Sequence, residues 1–203
     1  ADPPKWQPAS NLSDALACYW WSLRLAARWS AGGPAVAPLV RRLGGVLNER
    51  GRRALAESDL ETAEALFKDS FSVFANVADE HNASLVLVNH AAVCRARART
   101  HSTRRALVAA STRAALPVPS ADEVHQLTAA SSQQRRAVEA IRPHRREQAH
   151  LCEQSLRQLA ADEAQLGEAL GAVSLRGSGA ATTGKQALEA LARAQSLNEE
   201  LGE

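Results

Sequence analysis

The sequence predicts an all-α protein built from antiparallel helix hairpins that stack on one another. Apolar residues return at steps of three and four along most of the chain, which is the period of a helix with one buried face. No alternating run of β-branched or aromatic residues is long enough to indicate a strand. Apolar residues make up 45% of the chain and aromatic residues only 4%, so the helices are rich in Ala and favour close packing.

The N-terminal part is predicted to contain an extended segment, a helix and a linker. Residues 1–10 are Pro-rich, residues 11–29 carry an apolar helical stripe, and residues 31–38 contain helix-breaking Gly and Pro. The adjacent Trp20 and Trp21 cannot both face one core, so one of them is predicted to contact a neighbouring helix or a partner. In the alternative, both are buried between two neighbours of a stacked array.

The next stretch predicts a helix hairpin, with helices over residues 39–57 and 59–78 and a turn at Ser58-Asp59. Small residues are expected where the two helices approach closely, and large residues are expected to fill the spaces between them. The small positions are Gly51, Ala63 and Ser70, and the large ones are Leu47 and Phe67.

This order of small and large residues resembles the tetratricopeptide repeat, although the Trp that opens many such repeats and the Pro that closes them are missing. A second unit follows, with Ala91 at the position of Gly51. The resemblance implies a TPR-like α-solenoid over residues 11–116. Residues 74–95 are also similar to the repeat region of the erythroid differentiation-related factor family, which would imply a nuclear regulatory role.

The remaining elements are helices separated by Pro and Gly. A helix is predicted from Asn82 to Ala115, with a possible interruption at residues 101–103, and Pro117 and Pro119 end it. Residues 117–176 are predicted to form a long helical hairpin or an atypical repeat, residues 177–184 a flexible linker, and residues 185–203 a C-terminal helix.

The sequence contains no catalytic constellation, and the chain is predicted not to be an enzyme. Residues 179–186 approach a phosphate-binding loop, but Gln186 stands where a hydroxyl would hold magnesium. No cofactor, metal or small-molecule substrate is predicted, since three pairs with partial metal-site spacing lack further ligands: Glu147 and His150, Asp122 and His125, and His90 and Cys94.

Arginine-rich stretches are the strongest candidates for a charged functional surface. The chain has 24 basic residues against 22 acidic ones, so the local clustering of charge is more informative than the net +2. Such a surface can hold an acidic protein or RNA phosphates, or it can pair with the acids of residues 57–80. The predicted basic patch comprises Arg97, Arg104, Arg105, Arg135, Arg136, Arg142, Arg145 and Arg146.

These observations predict a protein–protein interaction module or scaffold subunit of a multi-subunit complex. The repeat resemblance implies a binding face lined by Asn48, Arg52 and Leu55 and, in the next unit, by Asn89, Arg95 and Arg99. The alternative is an RNA-contacting helical component of a ribonucleoprotein that uses the Arg stretches. The scarcity of aromatic residues near those stretches weakens this alternative.

Cysteine usage predicts an intracellular, reducing compartment. Cys18, Cys94 and Cys152 show no disulfide or metal spacing, which indicates reduced, partly buried thiols in the cytoplasm or nucleus, with an organelle as an alternative. No signal peptide or apolar run of about 18 residues occurs, so no membrane association is predicted. The chain contains no Met, which indicates that residue 1 is not the native start.

Overall fold

The computed structural model describes Cys18 and residues 36–112, 115, 117–175 and 180–202, and no strand occurs among them. The all-α prediction is therefore confirmed for this part of the chain. The predictions for residues 1–10 and 11–29, including Trp20 and Trp21, lie outside the described residues. The helices are α1 (Val36–Ala56), α2 (Leu60–Asn76), α3 (Glu80–Thr112), α4 (Ala121–Ile141), α5 (Ala149–Ser174) and α6 (Ala180–Leu201), with a 3-10 turn at Arg142–His144.

Contacts divide the chain into an N-terminal unit, residues 1–86, and a C-terminal unit, residues 87–203. The division falls inside α3. Helix α3 is continuous through residues 101–103, so the interruption that the sequence allows there is absent.

The N-terminal unit contains the predicted hairpin of α1 and α2, and its small residues lie where the helices approach closely. A Cβ atom placed on Gly51 would lie 2.6 Å from a ring carbon of Phe67, and one on Gly44 would lie 2.8 Å from the ring of Phe74. The buried Ser70 hydroxyl donates to the carbonyl oxygen of Gly44 at 2.8 Å. The predicted pattern of small and large residues is thus confirmed, with aromatic rings facing the two glycines.

The turns after α1 and α2 share the same backbone conformation and the same kind of helix cap. Ser58 and Ala78 adopt positive φ values of 64° and 52°, which end the preceding helices. The next residue in each case is an aspartate whose side chain caps the following helix: Asp59 accepts from the Thr62 amide, and Asp79 accepts from the Asn82 amide, both at 3.1 Å. The predicted turn at Ser58-Asp59 is confirmed.

The C-terminal unit packs its part of α3 with α4, α5 and α6 around one core. One apolar cluster takes residues from all four helices: Ala98, Leu127, Leu166, Ala169 and Ala190. A second cluster joins α4 and α5, with Leu197 and Leu201 of α6 packed against it. Residues later in α4 contact residues earlier in α5, and the same relation holds between α5 and α6, so the helices of each pair are antiparallel. The arrangement is an up-and-down four-helix bundle.

Helix α6 begins at Ala180, so residues 180–184 are helical and do not form the predicted flexible linker. The physical reason is close packing. A Cβ on Gly184 would lie 2.9 Å from the Ser174 hydroxyl oxygen, which shows how near the start of α6 comes to the end of α5. The hairpin predicted within residues 117–176 is present as α4 and α5.

Candidate functional site

Two adjacent carboxylates of α5 lie inside the C-terminal unit. Asp162 is 2% exposed and Glu163 is not exposed at all. Successive helical residues point about 100° apart, so the two carboxylates contact different neighbouring helices. A buried carboxylate requires donors that replace water, and both have them.

Glu163 joins α5 to α4 and α6. The Ser131 hydroxyl donates to Glu163 Oε1 at 2.6 Å, Arg193 Nε donates to Oε2 at 3.0 Å, and Arg135 donates to Oε1 from α4. Burial by itself raises the pKa of Glu163, but these three hydrogen bonds outweigh it and the pKa lies below its ordinary value. The network therefore holds the ionised carboxylate.

Asp162 joins α5 to α3, and its pKa is shifted in the opposite direction to that of Glu163. Arg95 Nη1 donates to Asp162 Oδ2 at 2.8 Å, and Gln158 Nε2 donates to Oδ1 at 3.0 Å. Burial raises the pKa of Asp162 above its ordinary value, because its donors only partly offset the loss of water and the neighbouring Glu163 adds repulsion.

A third buried ion pair joins α3 to the start of α4. Arg105 donates through Nε and Nη2 to the two oxygens of Glu123, at 3.2 and 2.9 Å, and through Nη1 to the carbonyl oxygen of Pro117. Paired hydrogen bonds of this kind fix the plane of a guanidinium group. Arg105 thus orients the segment between α3 and α4.

Half of the predicted basic patch is paired with carboxylates of the same unit. Arg105 and Arg135 belong to the buried ion pairs above, and Arg142 and Arg145 both contact Glu200, at 2.7 and 3.4 Å. Arg136 donates to Gln133 at 3.3 Å, and Arg97 is half-buried and engaged. Arg104 and Arg146 are exposed. The acids that pair with Arg105, Arg135, Arg142 and Arg145 lie at residues 123, 163 and 200.

The residues of the predicted binding face differ in the exposure and the contacts of their side chains. Arg95 is held by Asp162, so its guanidinium faces the interior of the C-terminal unit and not a partner. Asn89 is half-buried and interacts with another residue of the chain, whereas Arg99 is exposed.

In the N-terminal unit, Asn48 and Leu55 are half-buried, Asn48 is engaged, and exposed Arg52 contacts Glu49 at 3.1 Å. A cavity of about 240 Å³ near the turn between α1 and α2 is lined by none of these three residues.

A cavity of about 390 Å³ opens at one end of the C-terminal unit, between the ends of α3 and α5 and the start of α4. Its polar groups are the Arg105–Glu123 pair, Ser102, Gln165 and Glu168. Its apolar lining comprises Pro117, Val118, Pro119, Leu127, Ala169, Ala172 and Leu175. No local pattern in the sequence indicates this site. The Pro-rich break that forms one wall was visible in the sequence, but its neighbours on α5 come from about fifty residues further on.

Large apolar side chains remain exposed near this end. Leu175, which lines the cavity, is 87% exposed, and Val108, on α3, is 51% exposed. Val108 follows Arg105 by three residues and so lies on the same side of α3. Leu107 and Leu188 are also exposed, but neither lines the cavity. An apolar cavity beside exposed leucine is the best-formed candidate binding surface among the described residues.

The described residues do not form the metal site or the phosphate-binding loop whose partial motifs occur in the sequence. They hold no group of three or more His, Cys, Asp or Glu side chains positioned around a metal ion. Residues 180–186 of the loop-like motif are helical, and Lys185 lies 3.8 Å from Glu189. Cys94 and Cys152 are buried free thiols. None of the helices, as far as the structure describes them, has the length and apolar character needed to span a membrane.

Comparisons of the chain with family models, with curated proteins and with solved structures found no match. The fold and the site place this protein in a structural class: it is an all-α chain whose C-terminal unit is a four-helix bundle with an open, partly apolar cavity.

Proposed function

We propose that the chain is a non-enzymatic interaction module that holds a partner protein within a larger assembly, and that the partner binds at the cavity of the C-terminal unit. The observation that carries the proposal is the exposure of Leu175 beside this cavity. Full burial of a leucine side chain is worth about 1.5–3 kcal/mol, and exposed apolar surface next to a cavity is typical of interaction sites.

The N-terminal hairpin supports a narrower form of the tetratricopeptide resemblance. Its helices approach at Gly44 and Gly51 with Phe74 and Phe67 opposite, and the same capped turn follows each helix. We propose that repeat-like packing is confined to α1 and α2, because the four helices of the C-terminal unit share one core.

The RNA-binding alternative has less support, because half of the predicted basic patch, Arg105, Arg135, Arg142 and Arg145, is paired with carboxylates. Phosphate binding requires arginines that can give up their present partners. Arg99, Arg104 and Arg146 are exposed and make no ion pair with a described carboxylate, so this alternative now rests mainly on them and on the exposed Arg142 and Arg145, which share Glu200.

The test is a pull-down from native extract with the full chain as bait, with and without nuclease, read by mass spectrometry. Leu175→Gln is the test variant, and Leu188→Gln is its matched control, because Leu188 is an equally large, exposed leucine outside the cavity lining. We expect a set of proteins that survives nuclease, weakens with Leu175→Gln and persists with Leu188→Gln. Loss of all retained proteins on nuclease treatment supports RNA binding instead.

A further inference from the structure

We propose that the cavity of the C-terminal unit accepts a peptide segment in which a leucine-sized apolar side chain stands next to an Arg or Lys. This inference rests on the proposed function and specifies the chemistry of the partner. The apolar side chain enters the cavity, and the cationic one pairs with Glu168 at its edge.

The apolar half follows from the cavity's size and lining. About 390 Å³ lies near the lower end of the range of ligand pockets, roughly 300–1,000 Å³, so the cavity suits a side chain or two rather than a whole helix. Leu127 and Ala169 contribute to its surface from the bundle core, and Leu175 is exposed beside it. An entering leucine would bury its own surface together with that of Leu175.

The backbone of the wall between α3 and α4 offers more acceptors than donors. Pro117 and Pro119 have no N–H group, so at these positions the wall presents apolar rings and no backbone donor, and the Pro117 carbonyl oxygen already accepts from Arg105. A peptide with N–H groups or a cationic side chain suits such a wall better than an acceptor-rich ligand such as a phosphate.

The charge of the cavity lining favours a cationic side chain in the partner peptide. Among the residues that the structure describes, three ionisable side chains line the cavity: Arg105, Glu123 and Glu168. The first two neutralise each other through two hydrogen bonds, which leaves a net charge of +1 − 2 = −1 for these three side chains. Glu168 is exposed, and none of the ion pairs among the described residues uses its carboxylate.

The probe is a short, blocked alanine peptide with a central leucine–arginine pair, compared with one in which glutamate replaces the arginine. Each is titrated into the isotope-labelled full chain and followed by NMR. We expect amide shifts at Leu127, Ala169 and Ala172, and about two- to fivefold tighter binding of the arginine peptide, since an exposed ion pair is worth about 0.2–1 kcal/mol.

Two variants separate this pairing from general attraction between charges. Glu168→Arg should reverse the preference between the two peptides. The control is Glu189→Arg, which changes an exposed glutamate of α6 outside the cavity lining and should preserve the preference. Ala172→Trp should fill the cavity and abolish binding of both peptides, with circular dichroism confirming that its helices are retained.

Three results would overturn the inference: shifts that map outside the cavity, no binding of either peptide, or an unchanged preference in Glu168→Arg. These results are distinguishable from failure of the proposed function. If the pull-down retains nuclease-resistant proteins through Leu175 and the arginine peptide does not bind, only the inferred partner chemistry is wrong. If the peptide binds as expected and no protein is retained, the cavity chemistry stands and the scaffold role fails.

Discussion

Glu163 is the residue at which donors from two other helices of the C-terminal unit converge. The carboxylate accepts from Ser131 and Arg135 of α4 and from Arg193 of α6, and it has no contact with solvent. The removal of one partner from a buried ion pair is costly because the remaining charge loses its counterion. This residue therefore contributes more to stability than an exposed glutamate of the same helices.

We expect Glu163→Gln to lower the free energy of unfolding by about 3 kcal/mol, near the lower end of the range for a broken buried pair. Arg135 and Arg193 each have side chains that are 43% exposed, so water can solvate them in part once the carboxylate is gone. Urea unfolding monitored by circular dichroism measures the change. Glu139→Gln, an exposed glutamate of α4, is the control. An equal loss in the two variants would contradict a special role for Glu163.

The two buried carboxylates should affect stability oppositely as pH changes. The pKa of Glu163 is lowered in the folded chain, so its contribution is present above its ordinary pKa of 4.5 and is lost as pH falls through the folded value. The pKa of Asp162 is raised, so its contribution is present below its ordinary pKa of 3.8 and is lost as pH rises through the folded value.

Urea unfolding across the acid range tests this difference. The stability gap between the native chain and Glu163→Gln should shrink as pH falls through the folded pKa of Glu163. Asp162→Asn should instead gain stability relative to the native chain as pH rises through the folded pKa of Asp162. Parallel pH profiles for the two variants would show that their carboxylates titrate alike.

At the scale of the element, α1 offers a matched pair of glycines. Gly51 faces the ring of Phe67 so closely that an added Cβ would lie 2.6 Å away, whereas a Cβ on Gly45 would meet nothing within 4 Å. Replacement of glycine by alanine favours a helix by up to about 1 kcal/mol, and overpacking costs about 1–3 kcal/mol. The sign of the net change therefore depends on the space available.

We expect Gly51→Ala to destabilise the chain by about 1–2 kcal/mol, because overpacking against Phe67 exceeds the gain in helix propensity. Gly45→Ala should stabilise it by up to about 1 kcal/mol, since only the propensity term applies. Urea unfolding measures both variants. If Gly51→Ala were stabilising, the close approach of α1 and α2 would have to be looser than the structure has it.

The turn after α2 gives a second prediction at this scale. Ala78 has a φ of 52°, a conformation that costs an alanine about 1 kcal/mol and a glycine almost nothing. Ala78→Gly should therefore raise the free energy of unfolding by up to about 1 kcal/mol. Ala75→Gly, inside the exposed face of α2, should lower it by a similar amount. A loss of stability in both variants would contradict the left-handed cap.

For the whole molecule, the question is whether partner proteins or RNA account for retention in the pull-down. Simultaneous replacement of Arg142, Arg145 and Arg146 by Gln removes three exposed arginines from the segment between α4 and α5. Under the proposed function, the proteins that survive nuclease should still be retained and should depend only moderately on salt. A loss of retention together with a steep salt dependence would favour the RNA alternative.

Asn89 tests the original repeat hypothesis at the same scale. The resemblance implies that this residue contacts a ligand's backbone, and the structure has it half-buried and engaged. If a partner binds along this face of α3, Asn89→Ala should release part of the retained set. If the cavity alone carries binding, the same variant should release nothing, and the repeat-type binding face is then wrong.

Local pattern predicted the helices because their causes are local. The three- and four-residue spacing placed α1 and α2 within a few residues of their observed bounds, and α3 ends at Thr112, three residues before the predicted end at Ala115. The flexible linker at residues 177–184 was wrong over its helical part, because its Gly and Thr residues suggested a loop while packing against Ser174 keeps Gly184 within a helix.

By itself the sequence determined the all-α class, the turn at Ser58-Asp59 and the close approach of Gly51 and Phe67 in the first hairpin, since these depend on residues near one another in the chain. Only the tertiary structure decided that four helices share one core, which arginines are neutralised, and where the cavity lies. Arg95 and Asp162 are 67 residues apart, and no local period states which distant faces will meet. Charge clusters that look like a binding surface in sequence can therefore become internal ion pairs once the helices pack.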